Sequence, residues 1–358
     1  MFAAVSPHAL SPRIPNMPDT PSARRSLTVV YNPVKVDDLD SAKELVAKAA
    51  AQHGWEDPSW IETTEDETGE KQGREAVRSG ADVVASLGGD GTVRAVASAL
   101  VGTDVALGLL PGGTGNLLAR NLGLPIDSLE NAVEAMLGGT ERRIDVGLMR
   151  VSDKPIRPHE SHGTHDGGSQ VDDDEEVFLV MAGLGLDGQV MAGTNEKVKA
   201  VVGWVAYIFS GLRQVFSRGF RVDVSSKGSS GVTGQHGDHE REHDEPSGSV
   251  SRHARTVVVG NCGTLQGGLE LMPEAKLDDG ILDAVVVAPN GAFGWFSVIS
   301  DLVTRHRAGH RRLDRLRGRE FTVTAGRPVE AEIDGDPIGE HVSLGIRILP
   351  DSLVVRVG

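Results

Sequence analysis

Val83-Val84-Ala85-Ser86-Leu87-Gly88-Gly89-Asp90-Gly91-Thr92 decides the fold. An apolar run without polar alternation reads as a strand buried on both faces, as in a parallel sheet covered by helices. Val93-Arg94-Ala95-Val96-Ala97 beyond it reads as a helix. The glycines between them let backbone N–H groups approach an anion with no Cβ in the way, and the helix start points its dipole at that anion. The same grammar recurs in Ala106-Leu107-Gly108-Leu109-Leu110, then Pro111-Gly112-Gly113-Thr114-Gly115-Asn116, then Leu117-Leu118-Ala119-Arg120. Two such turns on neighbouring parallel strands converge at one sheet edge, where open α/β folds bind ligands. A phosphate-bearing nucleotide is the guest this pattern implies. Asp90 adds a cation, because a carboxylate inside a phosphate loop is repelled unless a hard ion such as Mg²⁺ bridges the two. The loops lack G-x-x-x-x-G-K-[ST], so the nucleotide is held differently from that of a Walker NTPase.

Outward from these loops, strand and helix alternate between Leu27 and about Asp145. Leu27–Tyr31 and Trp60–Thr63 read as strands, and Ser41–Gln52, Glu70–Ser79 and Leu129–Leu137 as helices. This predicts a doubly wound parallel α/β domain over 26–145. After Arg143 the texture changes to short strands: Ile144–Met149, Val177–Val180, Arg221–Val224, Thr256–Val259, Ile281–Val287, Glu320–Thr324 and Val329–Ile333. They predict an antiparallel β-sandwich over 146–358, its last residues returning to the first domain. Residues 1–25, rich in Pro, Ser and Ala, read as a disordered tail and not a signal peptide. Segments 154–176 and 225–253 hold almost no apolar residues and read as unstructured insertions. They carry His159, His162, His165, His236, His239, His243 and His253. Alternating His and acid can bind a transition metal; with nothing to fix the ligands, these segments read as solvated loops.

A chain of 358 residues, 39% hydrophobic, can bury a full core and divide into two domains. Aromatics are only 4%, so aliphatic side chains fill that core. A formal net charge of −15 argues against a nucleic-acid partner. Cys262 is the only cysteine, which excludes a disulfide framework and fits a reducing, cytoplasmic compartment. No apolar run reaches the roughly eighteen residues of a membrane-spanning helix. Gly183-Leu184-Gly185-Leu186-Asp187-Gly188 satisfies G-x-G-x-x-G, but the following Gly203–Ile208 is an apolar helix pattern where the dinucleotide fingerprint needs an acid. NAD binding is rejected there.

From about Ser26 to the C-terminus the chain resembles the diacylglycerol kinase catalytic-domain family, lipid kinases that also include the sphingosine kinases. The resemblance rests on ordered motifs: Tyr31-Asn32-Pro33, Gly88–Thr92, Leu110–Asn116, Gly183–Asp187, Gly260-Asn261 with Gly267-Gly268, Pro273–Gly280, and Asp334-Gly335-Asp336. It implies ATP and Mg²⁺ as cofactors. It implies nucleotide contacts from Asn32, Pro33, Thr64, Gly89, Asp90, Gly91, Thr92, Val93, Arg94, Ala95, Gly113, Thr114 and Asn116. In bacterial relatives a Glu in Asp-Gly-Glu is the catalytic base; Asp336 stands at that position, one methylene shorter, with Asp90 as the fallback base and a turn Asp before Pro337 as the bland reading. A structural Mg²⁺ is implied at Asp279 through its carboxylate and at Lys276 and Ile281 through their carbonyls, against a β-turn with Asx bonds. Many members carry an acid after the second loop where this chain has Leu117, which leaves Asp90 with more of the cation binding.

The implied substrate is a lipid met at a membrane surface by peripheral association. Arg305, Arg307, Arg311, Arg312, Arg315, Arg317 and Arg319 follow the apolar Phe293–Ile299. That cluster reads either as a dock for anionic lipid or as a solvated basic turn. The expected function is phosphorylation of a hydroxyl of diacylglycerol or a related lipid. The rivals are an NAD kinase-like phosphotransferase and a catalytically weak binding homologue. A homodimer is left open.

Overall fold

The computed structural model describes residues 24–113, 115–156, 171–185, 219–228, 248–264, 270–288 and 313–358. The chain begins with β1 (Leu27–Tyr31), α1 (Leu39–Gln52), β2 (Ser59–Glu62), α2 (Glu70–Arg78), β3 (Val83–Gly88), α3 (Asp90–Leu100) and β4 (Ala106–Pro111). α4 (Leu117–Asn121) and α5 (Leu129–Gly138) follow. The strands lie in the order β2-β1-β3-β4, all parallel. Their apolar runs are buried throughout because helices cover both faces. Val46, Ala50, Val133 and Met136 of α1 and α5 pack with Val29, Val83 and Leu110 on one face. Val96 and Leu100 of α3 pack with Val84 and Leu107 on the other. Asp38 and Ser128 cap α1 and α5 by accepting the amides of Ser41 and Asn131. The chain order reverses between β1 and β3, which places a ligand crevice at their carboxyl ends.

The second half is β-rich: β5 (Thr140–Ser152), β6 (Glu176–Phe178), β7 (Met181–Leu184), β8 (Phe220–Lys227), β9 (Gly248–Ala254) and β10 (Thr256–Gly260). It ends in β11 (Leu282–Val287), β12 (Leu313–Gly318), β13 (Glu320–Ile333) and β14 (Asp336–Val357). β7 runs antiparallel to both β10 and β13, so the glycines after it do not open a βαβ unit. Phe178, Leu184, Val222, Val257, Phe321 and Ile346 fill the sandwich core. β13 changes partner along its length, pairing with β8 through Glu320–Ala325 and with β7 through Ala331–Ile333. β14 continues into the first domain, where Val355 pairs parallel with Leu107 of β4. One hydrogen-bonded sheet of 14 strands therefore runs through both halves. Arg356 near its end is buried and donates to the carbonyls of Met136, Leu137 and Gly139, closing the C-terminus of α5.

The described ends of both expected insertions are structured. Ser225–Lys227 pair with Glu320–Thr322 of β13, and Gly248–His253 pair with β8. Alternation explains it: in Val222-Asp223-Val224-Ser225-Ser226 every second side chain is buried, and small polar residues suffice for the rest. At the end of the first segment Glu175 is held by Arg347 in a two-pronged, buried ion pair, Nε to Oε1 at 2.7 Å and Nη2 to Oε2 at 2.5 Å. His253 stands in β9; His159, His162, His165, His236, His239 and His243 lie outside the described residues.

Candidate active site

The two glycine loops meet because β3 and β4 are adjacent and in register, Gly88 opposite Pro111. A Cβ at Gly112 would come within 2.8 Å of the Gly88 amide nitrogen, and one at Gly113 within 2.9 Å of the Gly89 Cα. The loops are thus packed backbone on backbone, and the second loop's glycines serve that contact. Gly89 differs, since a Cβ there would meet nothing within 4 Å. It precedes α3 in extended conformation, and no side chain caps the helix. The first-turn amides of α3 thus have no side-chain cap, the condition an anion site requires.

Asp90 opens α3 but turns toward the second loop. Its Oδ1 accepts the Leu117 amide at 2.7 Å, and its carboxylate leaves room only for hydrogen at the Gly115 α-carbon. Burial pushes the Asp90 carboxyl up; the amides of Leu117 and Asn116 oppose that, and the charge of Asp336 adds to it. Asn116 starts α4 in the left-handed region at φ 47, its side-chain amide donating to the Gly113 carbonyl at 2.9 Å.

Asp336 arrives from the other domain. Asp334 and Gly335, both at positive φ (49 and 92), form a two-residue hairpin turn between Ile333 and Asp336. The buried Asp334 carboxylate accepts the amides of Leu179, Val180 and Met181 at 2.9, 2.8 and 3.0 Å. Burial raises its pKa, opposed by these three donors and by Arg94. This clamp fixes the turn, so that Asp336 faces the first turn of α3: a Cβ on Gly91 would lie 3.2 Å from its Oδ2. Arg94, one helical turn along, donates to Asp336 Oδ2 at 3.0 Å and to the Ile333 carbonyl at 2.7 Å. Asp336 itself is half exposed.

The remaining expected contacts divide. Asn32 sits beside β3, its amide donating to the Leu87 carbonyl, with its side chain closing an Asx turn onto Val34. Pro33 follows in the same turn. The Thr64 hydroxyl accepts the Glu67 amide, a local cap. Thr92 is buried beneath Gly88, and Val93 packs into the core. Ala95 is half-buried on α3, its Cβ toward Gly69. Thr114 lies outside the described residues. A cavity of about 240 Å³ opens beside this edge, lined by Lys35, Val36, Asp38, Leu45, Leu87 and Pro111.

The Lys276–Ile281 turn packs on β5, the Gly280 amide donating to the Asp145 carboxylate and Arg142 pairing with Asp278. Asp279 Oδ1 accepts the Ile281 amide at 3.1 Å, an Asx bond, and Oδ2 takes the Arg317 guanidinium at 2.9 Å. Among the described residues no group of three or more His, Cys, Asp or Glu side chains is arranged to hold a metal. Arg317 is therefore an ion-pair partner of Asp279 and Asp283 and not a free surface charge. Arg315 and Arg319 remain exposed. Arg305, Arg307, Arg311, Arg312 and Phe293–Ile299 lie outside the described residues.

Sequence reasoning missed the side-chain role of Arg94, the Asp334 clamp and Glu332. Asp334-Gly335 carried a signal, since Asp-Gly between apolar runs marks a hairpin. Glu332 carried none: it alternates with Ala331 and Ile333 like a solvent-facing residue, yet it is only 2% exposed.

Comparison with known proteins places these elements. The family model described as "Diacylglycerol kinase catalytic domain" matches residues 26–149, and that for the "YegS C-terminal NAD kinase beta sandwich-like domain" matches 180–357. A protein of Enterobacter sp. (strain 638) named "Probable lipid kinase YegS-like" is 27% identical over 79% of this chain and 80% of its own length. One of the same name from Pseudomonas putida is 29% identical over 74% and 73%. A crystal structure of a diacylglycerol kinase from Bacillus anthracis superposes with a TM-score of 0.65 at 21% identity, covering 95% of this chain and 99% of that one, and shares the fold. The two models match in order, so residues 26–149 belong to the diacylglycerol kinase catalytic-domain family and residues 180–357 carry the YegS C-terminal NAD kinase beta sandwich-like domain.

Proposed function

We propose that this protein transfers the γ-phosphoryl group of ATP to a hydroxyl of diacylglycerol or a related lipid. The observation that carries the reading is the juxtaposition of Asp336 with the uncapped start of α3, beside the open Gly89. The first-turn amides and Gly89 cradle phosphate oxygens, and Asn32, Pro33, Gly113 and Asn116 border the same edge. Asp90 and Asp336 bring two carboxyl groups to this site, with Arg94 paired to Asp336, while Asp334 is spent on backbone amides. Such a donor set fits a magnesium nucleotide, with Asp90 the residue to hold the ion; when bound, the ion neutralises charge on the transferring phosphoryl group.

The chain's own residues account for the rest. Arg94 fixes Asp336 through a charge-assisted bond while leaving the carboxylate open to solvent. An acceptor hydroxyl within hydrogen-bond reach of Asp336 gives up its proton there as its oxygen attacks phosphorus. Asp334 holds that geometry from behind. No helix of the described residues is long and apolar enough to cross a membrane, so the lipid is met from the surface in this reading. Incubating the protein with labelled ATP, Mg²⁺, a panel of lipids in mixed micelles, and NAD as a soluble competitor tests it. Label in a lipid product that vanishes with chelator is expected; label only in NAD, or none, contradicts it.

A further inference from the structure

Glu332 lies on β13 two residues before the hairpin turn, 2% exposed, and its Oε1 has no hydrogen-bond partner. Its backbone is pinned on both sides, opposite Gly183 of β7 and Pro337 of β14. The carboxyl groups at this end are compensated very unequally. Asp334 receives three amide hydrogens, and Asp336 receives Arg94 and solvent. Among the described residues none donates a hydrogen bond to Glu332 Oε1 and no cation pairs with it. The charges acting on it are those of Asp334 and Asp336, and both disfavour its ionised form. β7 brings no titratable side chain between Met181 and Leu184. Arg94 of α3 spends its contacts on the Ile333 carbonyl and Asp336, and Glu330 on the same strand accepts the Gly339 amide.

A buried carboxyl without partners keeps its proton. We infer that Glu332 is a positioning residue that holds the proton of this carboxyl cluster, leaving Asp336 ionised and paired with Arg94 for phosphoryl transfer. The inference rests on Asp336 being the base. In the transfer step the acceptor O–H bond breaks toward Asp336 as the new O–P bond forms and the bond to the leaving diphosphate breaks; Glu332 neither gains nor loses a proton. Burial and its two neighbours push the Glu332 pKa up to about 8. Above that, a second negative charge appears beside Asp334 and Asp336, repels the Asp336 carboxylate and displaces the base.

The test is the pH profile of kcat from about pH 6 to 10 for the wild type and Glu332→Gln, which keeps the shape of the neutral acid and cannot ionise. The wild-type kcat is expected to fall about tenfold on the alkaline side, and in Glu332→Gln that limb moves up by at least about one pH unit, while nucleotide KM follows the same course in both. Superimposable profiles overturn the inference. Infrared difference spectra across the same range supply a readout independent of turnover: a protonated-carboxyl band that disappears on alkalinisation in the wild type and is missing in Glu332→Gln. No such band also overturns it. If the wild type phosphorylates no acceptor, the base assignment fails, and the infrared arm alone decides whether Glu332 carries the proton.

Discussion

The three acids Glu332, Asp334 and Asp336 stand within five residues of one another, and burial and partners give each a different state. Asp334 is a clamp, Asp336 a half-exposed carboxylate, Glu332 an acid without a partner. Only Asp336 was legible as a candidate from the sequence, through its place in the Asp-Gly-Asp motif. Asp334 was not, because its donors at Leu179–Met181 are more than 150 residues away in the chain. The state of Glu332 has a consequence for stability. Its carboxyl keeps the proton to about 8 in the folded protein, against 4.5 for the free side chain. The folded state therefore binds this proton more tightly than the unfolded chain, and its relative stability declines as pH rises through that window. The decline amounts to a few kcal/mol, on the order of 1.4 per pH unit. Glu332→Gln removes it. Melting curves are expected to coincide near pH 4.5 and to separate toward pH 8, the variant melting higher; a variant that melts lower at pH 8 would show that the carboxylate is stabilised by a partner.

At the scale of elements, the glycine loops were legible down to their residues, because buried strands and loop glycines leave local marks. Their mutual packing was not legible. Both loops read as phosphate cradles, whereas the structure gives Gly112 and Gly113 to loop–loop contact and Gly89 to open space. These roles separate under substitution. Gly112→Ala forces a methyl group onto the Gly88 backbone and should lower stability by about 1–3 kcal/mol, the usual cost of overpacking. Gly89→Ala meets no neighbour and sits at φ −86, so its melting temperature should stay within a degree or two of the wild type while nucleotide affinity falls. Calorimetry with nucleotide titration of both variants checks this; equal destabilisation would mean that Gly89 also packs. Asp90 was expected to serve the cation and the nucleotide and to stand as the fallback base, yet one of its oxygens already ties α3 to α4 through Leu117. The residue that departs from the family pattern thus contributes through its backbone amide.

Across the whole molecule, the alternation of strand and helix followed by short strands revealed the α/β and β halves, since each pattern has its own period. The joining of those halves lies in β13 and β14, whose partners are set by packing and not by local pattern. The same blindness applied to 225–253, where polar composition hid the end of β8 and the edge strand β9. Excising Ser225–His253 removes β9 and the end of β8 and should lower the melting temperature by several degrees or give insoluble protein. Excising only the stretch between Gly228 and Gly248 should change it little, because loop length costs little closure entropy; equal damage from both excisions would refute the distinction. The central claim is that the fold carries Asp336 across to the start of α3 so that it can take the proton of a lipid hydroxyl. The most direct test is the single-turnover rate of phosphoryl transfer from ATP to the best lipid acceptor, compared between the wild type and Asp336→Asn with nucleotide affinity measured alongside. The rate should fall about 10²–10⁴-fold, the contribution of a positioned general base, while affinity and melting temperature hold. An undiminished rate in folded Asp336→Asn protein would contradict the account.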